Sequence, residues 1–316
     1  MFRSLIGAAV AVVMGAGLAA AEPAVVLAPG GAGGGYDAMA RQPFEAMAAD
    51  GIFTDGATFE NKGGAGGTIG LAQFVKANRG NDNAIMSMGS ILVGGIALNN
   101  SPVTLKDVTP LARLINDTGV IAVGKDSPYK TIADLVAAMK ENIGAVSVGG
   151  GSAGGVDHIT AGLIAQASGL DPKAVNYIAS ESGADTVTLL GGGAIAAAIS
   201  GASEFKPMAD AGRIRILAVT SAERFPGIDA PTLKESGIDI VIGNWRGLVG
   251  APDMSDAAKA TWIERLTKMH EGPAWKAVLE KQGWEDAFLA GDDFTKFLAE
   301  EETRQTEVLR TLGLIK

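Results

Sequence analysis

Pro29-Gly30-Gly31-Ala32-Gly33-Gly34-Gly35-Tyr36-Asp37 is the stretch whose reading decides the fold. The apolar run Ala24–Ala28 before it reads as a buried strand, and Ala38–Met47 after it reads as helical. A strand, a glycine loop and a helix start therefore follow one another. Glycines carry no Cβ, so backbone N–H groups can turn toward one point. The helix start adds donors without an intrahelical acceptor and a partial positive charge. Together these suit a carboxylate or a phosphate. A flexible connector would have the same composition. Two further strand–glycine–helix junctions in the chain argue for a built feature instead.

The first of these follows the strand Ala57–Asn61: Lys62-Gly63-Gly64-Ala65-Gly66-Gly67-Thr68 leads into a helix from Ile69 to about Asn78. The second follows Ala145–Val148: Gly149-Gly150-Gly151-Ser152-Ala153-Gly154-Gly155-Val156-Asp157-His158 opens a helix to Ser168, with Gly169 as its stop. Between them, Thr131-x-x-Asp134 fits a capping box ahead of Ile132, Leu135, Val136 and Met139 on one face. Short strands are expected at Ala84–Met88, Gly119–Val123, Val175–Ile178, Ala194–Ile199 and Ile214–Val219. Asp239–Ile242 and Leu248–Ala251 read as strands flanking a loop, Gly243-Asn244-Trp245-Arg246-Gly247. The rest reads as helices over Ser255–His270, Pro273–Gln282 and Asp293–Leu312. Strands alternating with helices predict an α/β fold with largely parallel sheets. No sequence repeat and no low-complexity linker is visible, so a two-lobed body would be joined by crossing strands.

Composition narrows the function. The 316 residues are 47% hydrophobic and 19% charged, which describes one large or two ordinary globular domains. The net charge of -9 argues against a nucleic-acid surface but not against an anionic ligand, since a few oriented dipoles set the local field. The absence of cysteine removes disulfides, thiolate metal sites and a cysteine nucleophile, and two histidines leave little room for a histidine metal site. Met1–Ala21 reads as a secretory signal peptide, with Arg3, the apolar run Leu5–Leu18 and small residues before Glu22. The mature protein is expected to be exported and soluble.

The third glycine turn carries the most side-chain chemistry. Gly150-Gly151-Ser152-Ala153-Gly154 matches the nucleophile elbow of serine hydrolases, yet His158 lies in the same turn and His270 in an amphipathic helix, the wrong order for that triad. The overlapping G-x-G-x-x-G pattern lacks an acidic residue ending the next strand. His158 reads either as a ligand donor or as a residue that holds the loop by a hydrogen bond. Asp37 and Asp157 read first as helix N-caps. Tyr36 offers a hydroxyl and an apolar face. Arg246 is the most interesting cation, because guanidinium pairs with carboxylate in a fork, although a structural salt bridge would use the same residue. No carboxylate pair or Asp/His cluster has convincing metal or acid–base spacing.

Taken together, these motifs resemble the solute-binding component of tripartite tricarboxylate transporters, the TctC or Bug family, over nearly all of the mature chain. The carriers are the first loop through Ala40-Arg41, Glu60–Gly67, Gly151–His158, Gly212–Val219, Pro231–Gly237 and Asn244-Trp245-Arg246-Gly247. The first loop and Asn244–Gly247 are most similar to the tricarboxylate-binding branch, which often has Trp where this chain has Tyr36. The resemblance implies a periplasmic, type II-like Venus flytrap with two α/β lobes, each a mostly parallel sheet flanked by helices, and two crossing strands. Lobe 1 would comprise 22–122 and 223–316, and lobe 2 would comprise 123–222. It implies a non-enzymatic monomer, without cofactor or metal, that passes an organic di- or tricarboxylate to membrane permease subunits. Position by position it points to Gly34, Gly35, Tyr36 and Asp37 in the first loop, and to Ser152, Ala153, Gly154 and His158 in the third. Gly66 in the second loop joins them, and Ser87, Ser182, Ser200 and Arg246 are added from their places at strand ends or loops. The alternatives are an exported hydrolase using Ser152 and a receptor for an amino acid, whose amine would need Asp37 or Glu181.

Overall fold

A computed structural model describes residues 22–180 and 182–316; the expected signal peptide and Glu181 lie outside the described residues. The chain starts with β1 (Ala24–Ala28), α1 (Gly35–Ala49), β2 (Ala57–Asn61), α2 (Thr68–Ala77), β3 (Ala84–Gly89) and α3 (Ser90–Leu98). The long β4 (Thr109–Gly124) then leads to α4 (Ile132–Asn142), β5 (Ser147–Gly150), α5 (Val156–Ala167), β6 (Asn176–Ala179) and α6 (Gly183–Gly191). Next come β7 (Ala197–Gly201), α7 (Ala202–Asp210) and β8 (Ile214–Val219). The chain returns through β9 (Gly243–Gly250), α8 (Asp256–Glu271), α9 (Pro273–Gln282), β10 (Glu285–Ala290) and α10 (Gly291–Thr311). The capping box at Thr131 forms as expected, with Thr131 and Asp134 exchanging hydrogen bonds.

β4 is the spine. Residues 109–118 pair antiparallel with β9, and 119–124 pair antiparallel with β7 and β8. One strand thus belongs to both lobes, and the sheet order runs β2-β1-β3-β9-β4-β7-β5-β6. The parallel pairs that the alternation predicts are the outer ones: β2-β1-β3 in one lobe and β6-β5-β7 in the other. The crossing strands run against their neighbours, so each sheet is mixed. Three departures from the sequence reading meet here. The expected loop Gly243–Gly247 is the first half of β9, a buried strand. Its glycines allow close approach: a Cβ on Gly247 would overlap the Ala112 carbonyl beside a β4 bulge. The short strand expected at Gly119–Val123 is the second half of β4, and Glu285–Ala290 forms a further strand against β4 where the sequence suggests none.

The crossing point is held by Thr220. Its N–H donates to Gly119 O (2.9 Å), and its hydroxyl accepts from Gly119 N–H (2.9 Å) and donates to Ile242 O (2.6 Å). The cores follow the same division. Trp262, Trp275, Phe44 and Phe294 pack in the first lobe. In the second, Ile121 and Val123 join Leu233, Ile238 and Ile240 on one face of the sheet, and Val120 and Phe205 join Ile228 on the other. On this packing we propose lobe boundaries at 118/119 and 242/243 in place of the expected 122/123 and 222/223. The C-terminal end of α10 also straps across: Leu309 and Leu312 are buried with Ile159 of α5.

Candidate functional site

Between the lobes lies a cavity of about 60 Å³ open to the centres of water molecules. Five helices point their first turn at it, contributing Gly35 (α1), Ile91 (α3), Asp157 (α5), Gly183 (α6) and Glu204 (α7) to its wall. Each start brings unsatisfied N–H groups and a partial positive charge, so the cavity is biased toward anions.

The two main loops are built alike, one from each lobe. Gly33 and Gly154 sit at φ 77° and 78°, where glycine is the natural residue. Gly34 and Gly155 are the helix N-caps with nearly the same backbone angles. Gly34 N–H donates to Gly31 O (3.3 Å), as Gly155 N–H does to Ser152 O (3.0 Å). Gly33 N–H donates to Asp37 Oδ2 (2.9 Å), and Gly154 N–H donates to His158 Nδ1 (3.1 Å). Asp37 and His158 therefore occupy equivalent places and do one job: each ties its loop from the first turn of the helix.

This geometry revises the expected roles of several residues. Asp37 is not an N-cap and does not face the cavity; Arg41 and Asn61 take its other oxygen. Burial alone would raise its pKa, but these donors and Gly33 outweigh burial and hold it below the usual carboxylate range. His158 stacks on Tyr177 (4.2 Å, 13°), whose hydroxyl donates to Gly151 O (2.7 Å). Desolvation lowers the histidine's pKa, so the ring stays neutral and its Nδ1 serves as an acceptor. Ser87 is fully buried and donates to Tyr36 O (2.9 Å), fixing the start of α1 from behind. Ala153 and Gly154 shape the loop without lining the cavity. Gly34, Gly35, Tyr36, Gly66, Ser152, Ser182, Ser200 and Arg246 do line it. The Tyr36 hydroxyl accepts from Leu92 N–H (2.8 Å), and burial pushes its pKa well up, so it stays neutral.

Arg246 sits on β9 with its side chain toward the cavity, while its neighbour Trp245 faces the other way and donates to Glu301 (3.0 Å). Both readings of Arg246 meet in one residue: it lines the cavity and also pairs with Asp117 Oδ2 at 2.9 Å, deep inside. Burial alone would weaken its charge, but Asp117 and Glu204 outweigh burial, and the guanidinium remains charged. Ser203 donates to the same Asp117 oxygen (2.8 Å), and Asp117 Oδ1 is buried without a partner among the described residues.

Two acidic groups in the wall escaped the sequence reading of the site. Asp157 is no N-cap; it accepts from Gly151 N–H (2.9 Å) and is 6% exposed. Burial pushes its carboxyl up to about 7, the Gly151 bond opposes this, and Glu204 adds to it. Glu204 accepts from Ser200 (2.5 Å), and burial raises its pKa as well. Only their place in first turns of helices, at positions 157 and 204, could have flagged them. The hydrolase arrangement does not form among the described residues: His158 Nδ1 is taken by Gly154, His270 Nε2 meets Asp286, and neither bonds to Ser152. No helix among the described residues is long and apolar enough to cross a membrane.

Comparison with known proteins places this architecture. The model of the family described as "Tripartite tricarboxylate transporter family receptor" matches residues 39–314. BugT of Bordetella pertussis is 26% identical over 303 residues, covering 93% of this chain and 90% of that one. The crystal structure of a TctC solute-binding protein from Polaromonas is 27% identical with TM-score 0.65, covering 92% of this chain and 98% of that one. MatC from Rhodopseudomonas palustris, solved with bound malate, shares the fold at TM-score 0.79 and 19% identity, covering 91% and 99%.

Proposed function

The chain belongs to the tripartite tricarboxylate transporter receptor family, and on that premise we propose that it captures a small organic di- or tricarboxylate, citrate-like in class, between its lobes and delivers it to a membrane permease. As a member of a receptor family it binds its ligand and does not convert it. The observation that carries the choice of ligand is the convergence of five helix starts and one buried arginine on a single interlobe cavity. One ligand carboxylate would sit against the Gly34–Tyr36 turn and Arg246, and the other against Ser152, Ser182 and Ser200. Gly66 completes the first wall. The fold neighbour MatC was solved with bound malate, a short dicarboxylate. In this reading the protein works as a periplasmic monomer, and ligand shifts it toward the closed form that the permease recognises.

A second reading has its own observation. Asp157 and Glu204 place two carboxyl groups in the wall, whose oxygens could accept from an ammonium that favours their ionised form, so an α-amino dicarboxylate is the competing ligand class. Thermal-shift titration of the protein from Glu22 onward against acetate, succinate, malate, citrate and aspartate separates the two. Shifts with succinate or malate that match or exceed the shift with aspartate support the dicarboxylate. A shift with aspartate alone replaces it, and no shift with any acid after refolding removes both.

A further inference from the structure

We infer that Asn244, held in place by Ser90, reads a hydroxyl group on the ligand's carbon chain, so that the preferred ligand is a 2-hydroxy dicarboxylate. The inference rests on the dicarboxylate reading and narrows it. Asn244 lies two residues before Arg246 on β9, so both side chains leave the same face of the strand, and both line the cavity. β3 pairs antiparallel with β9, with Gly89 opposite Arg246, and this register carries Ser90 alongside Asn244. The Ser90 hydroxyl donates to Asn244 Oδ1 at 2.8 Å, and both residues are buried. One end of the carboxamide is thereby fixed. Its Nδ2 donates to nothing among the described residues and is not enclosed, so it opens onto the cavity that Asn244 lines.

The first-lobe wall offers few other donors. Apart from glycines, Pro29 and Ile91, it consists of Tyr36, Asn244 and Arg246. The Tyr36 hydroxyl is committed at both ends, accepting from Leu92 N–H (2.8 Å) and donating to Gly89 O (3.4 Å). Arg246 and Asn244 are then the side chains of that wall whose donors are turned to the ligand. They differ in kind. The guanidinium seats a carboxylate by charge and shape. The amide, with its oxygen taken by Ser90, asks only for an acceptor. With a carboxylate on Arg246, that acceptor is a further oxygen beside it. In a four-carbon diacid any hydroxyl lies on a carbon next to a carboxylate, as in malate. Succinate presents C–H there and leaves the amide unmatched. An α-ammonium presents only donors, so the same amide disfavours aspartate.

The test is calorimetric titration of the chain from Glu22 onward with both enantiomers of malate, with succinate and with aspartate. It is repeated on Asn244→Leu, which nearly keeps the volume and removes the donors, and on Ser90→Ala. The parent is expected to bind one malate enantiomer on the order of tenfold more tightly than succinate, and aspartate no better than succinate. Asn244→Leu should erase the malate-to-succinate ratio by weakening malate and leaving succinate nearly unchanged. Ser90→Ala frees the carboxamide to turn and should lower the same ratio, a change in selectivity that a merely structural serine would not give. Equal affinity of the parent for malate and succinate, or aspartate matching malate, overturns the inference while the binding of diacids itself stands. An unchanged ratio in the variants, including an equal loss for both acids, overturns it as well. No binding of any acid by the parent removes the dicarboxylate reading and the inference with it. Should Asn244→Leu fold poorly, Ser90→Ala and the ratio in the parent still decide.

Discussion

Replacing Asp157 by Asn should change how the protein's stability responds to pH. Asp157 is 6% exposed, and its carboxyl is pushed from 3.8 up to about 7, first by burial and then by Glu204 and Asp117, against the Gly151 N–H and Arg246. Because the folded value lies above the unfolded one, folding favours the neutral acid. The contribution is fully present below pH 3.8 and is lost as pH rises through about 7. At 1.36 kcal/mol per decade the whole effect is roughly 4 kcal/mol, and the part between pH 5 and pH 8 is about 3 kcal/mol. Asn has nearly the same shape, can accept from Gly151 N–H through its carbonyl, and does not titrate. Urea unfolding of both proteins at pH 5, 6, 7 and 8 gives the difference in stability, in which shared titrations cancel. The variant's stability relative to the parent should rise by about 3 kcal/mol across that range. A difference that stays flat, or one that falls, would refute the reasoning that burial holds this carboxyl neutral.

Two more predictions concern the buried pair and the closed state. Arg246→Met strands the fully buried Asp117, one of whose oxygens already lacks a partner among the described residues, and should cost about 3–5 kcal/mol in denaturant unfolding; adding Asp117→Asn should restore a large part, and strictly additive losses would disprove the coupling. A Cβ on Gly94 of α3 would overlap the Gly154 carbonyl of the facing lobe, so Gly94→Ala should wedge the cleft. It should weaken succinate binding on the order of tenfold while leaving the melting temperature of the empty protein nearly unchanged, and equal affinity in calorimetry would count against this contact as part of closure.

Much of this fold is legible because its punctuation is local. Strand, glycine loop and helix start are written next to one another at residues 24–47, 57–78 and 145–168, and glycine at a positive φ leaves a visible mark. The spine was harder to read. Thr109–Thr118 contains Pro110, Arg113, Asn116 and Asp117, which dilute any strand signal, and the segment is a strand because β9 and β10 flank it. The same holds for Gly243–Gly247, whose glycines mark close backbone approach inside a sheet rather than a loop. In α3, Gly94 and Gly95 depress helix propensity, and both are needed where neighbouring backbone comes close. The cavity wall divides in the same way. Residues on the glycine turns could be named from the chain, while Glu204 and the inward turn of Asp157 depend on how two lobes meet. Ser87 and His158 look functional by position, yet their hydrogen bonds run to backbone.

The likeness of the two glycine loops has a further consequence. Each is tied by one acceptor four residues on, but the acceptors differ: a carboxylate in Asp37 and an imidazole in His158. A carboxylate held below its ordinary range keeps accepting in moderate acid. An imidazole that gains a proton on Nδ1 turns from acceptor to donor and must release Gly154. The two jaws of the molecule are thus twins in shape but not in chemistry. As a compartment acidifies, the grip slackens first on one side, so the ligand meets an asymmetric pair of walls whose stiffness the surrounding pH selects.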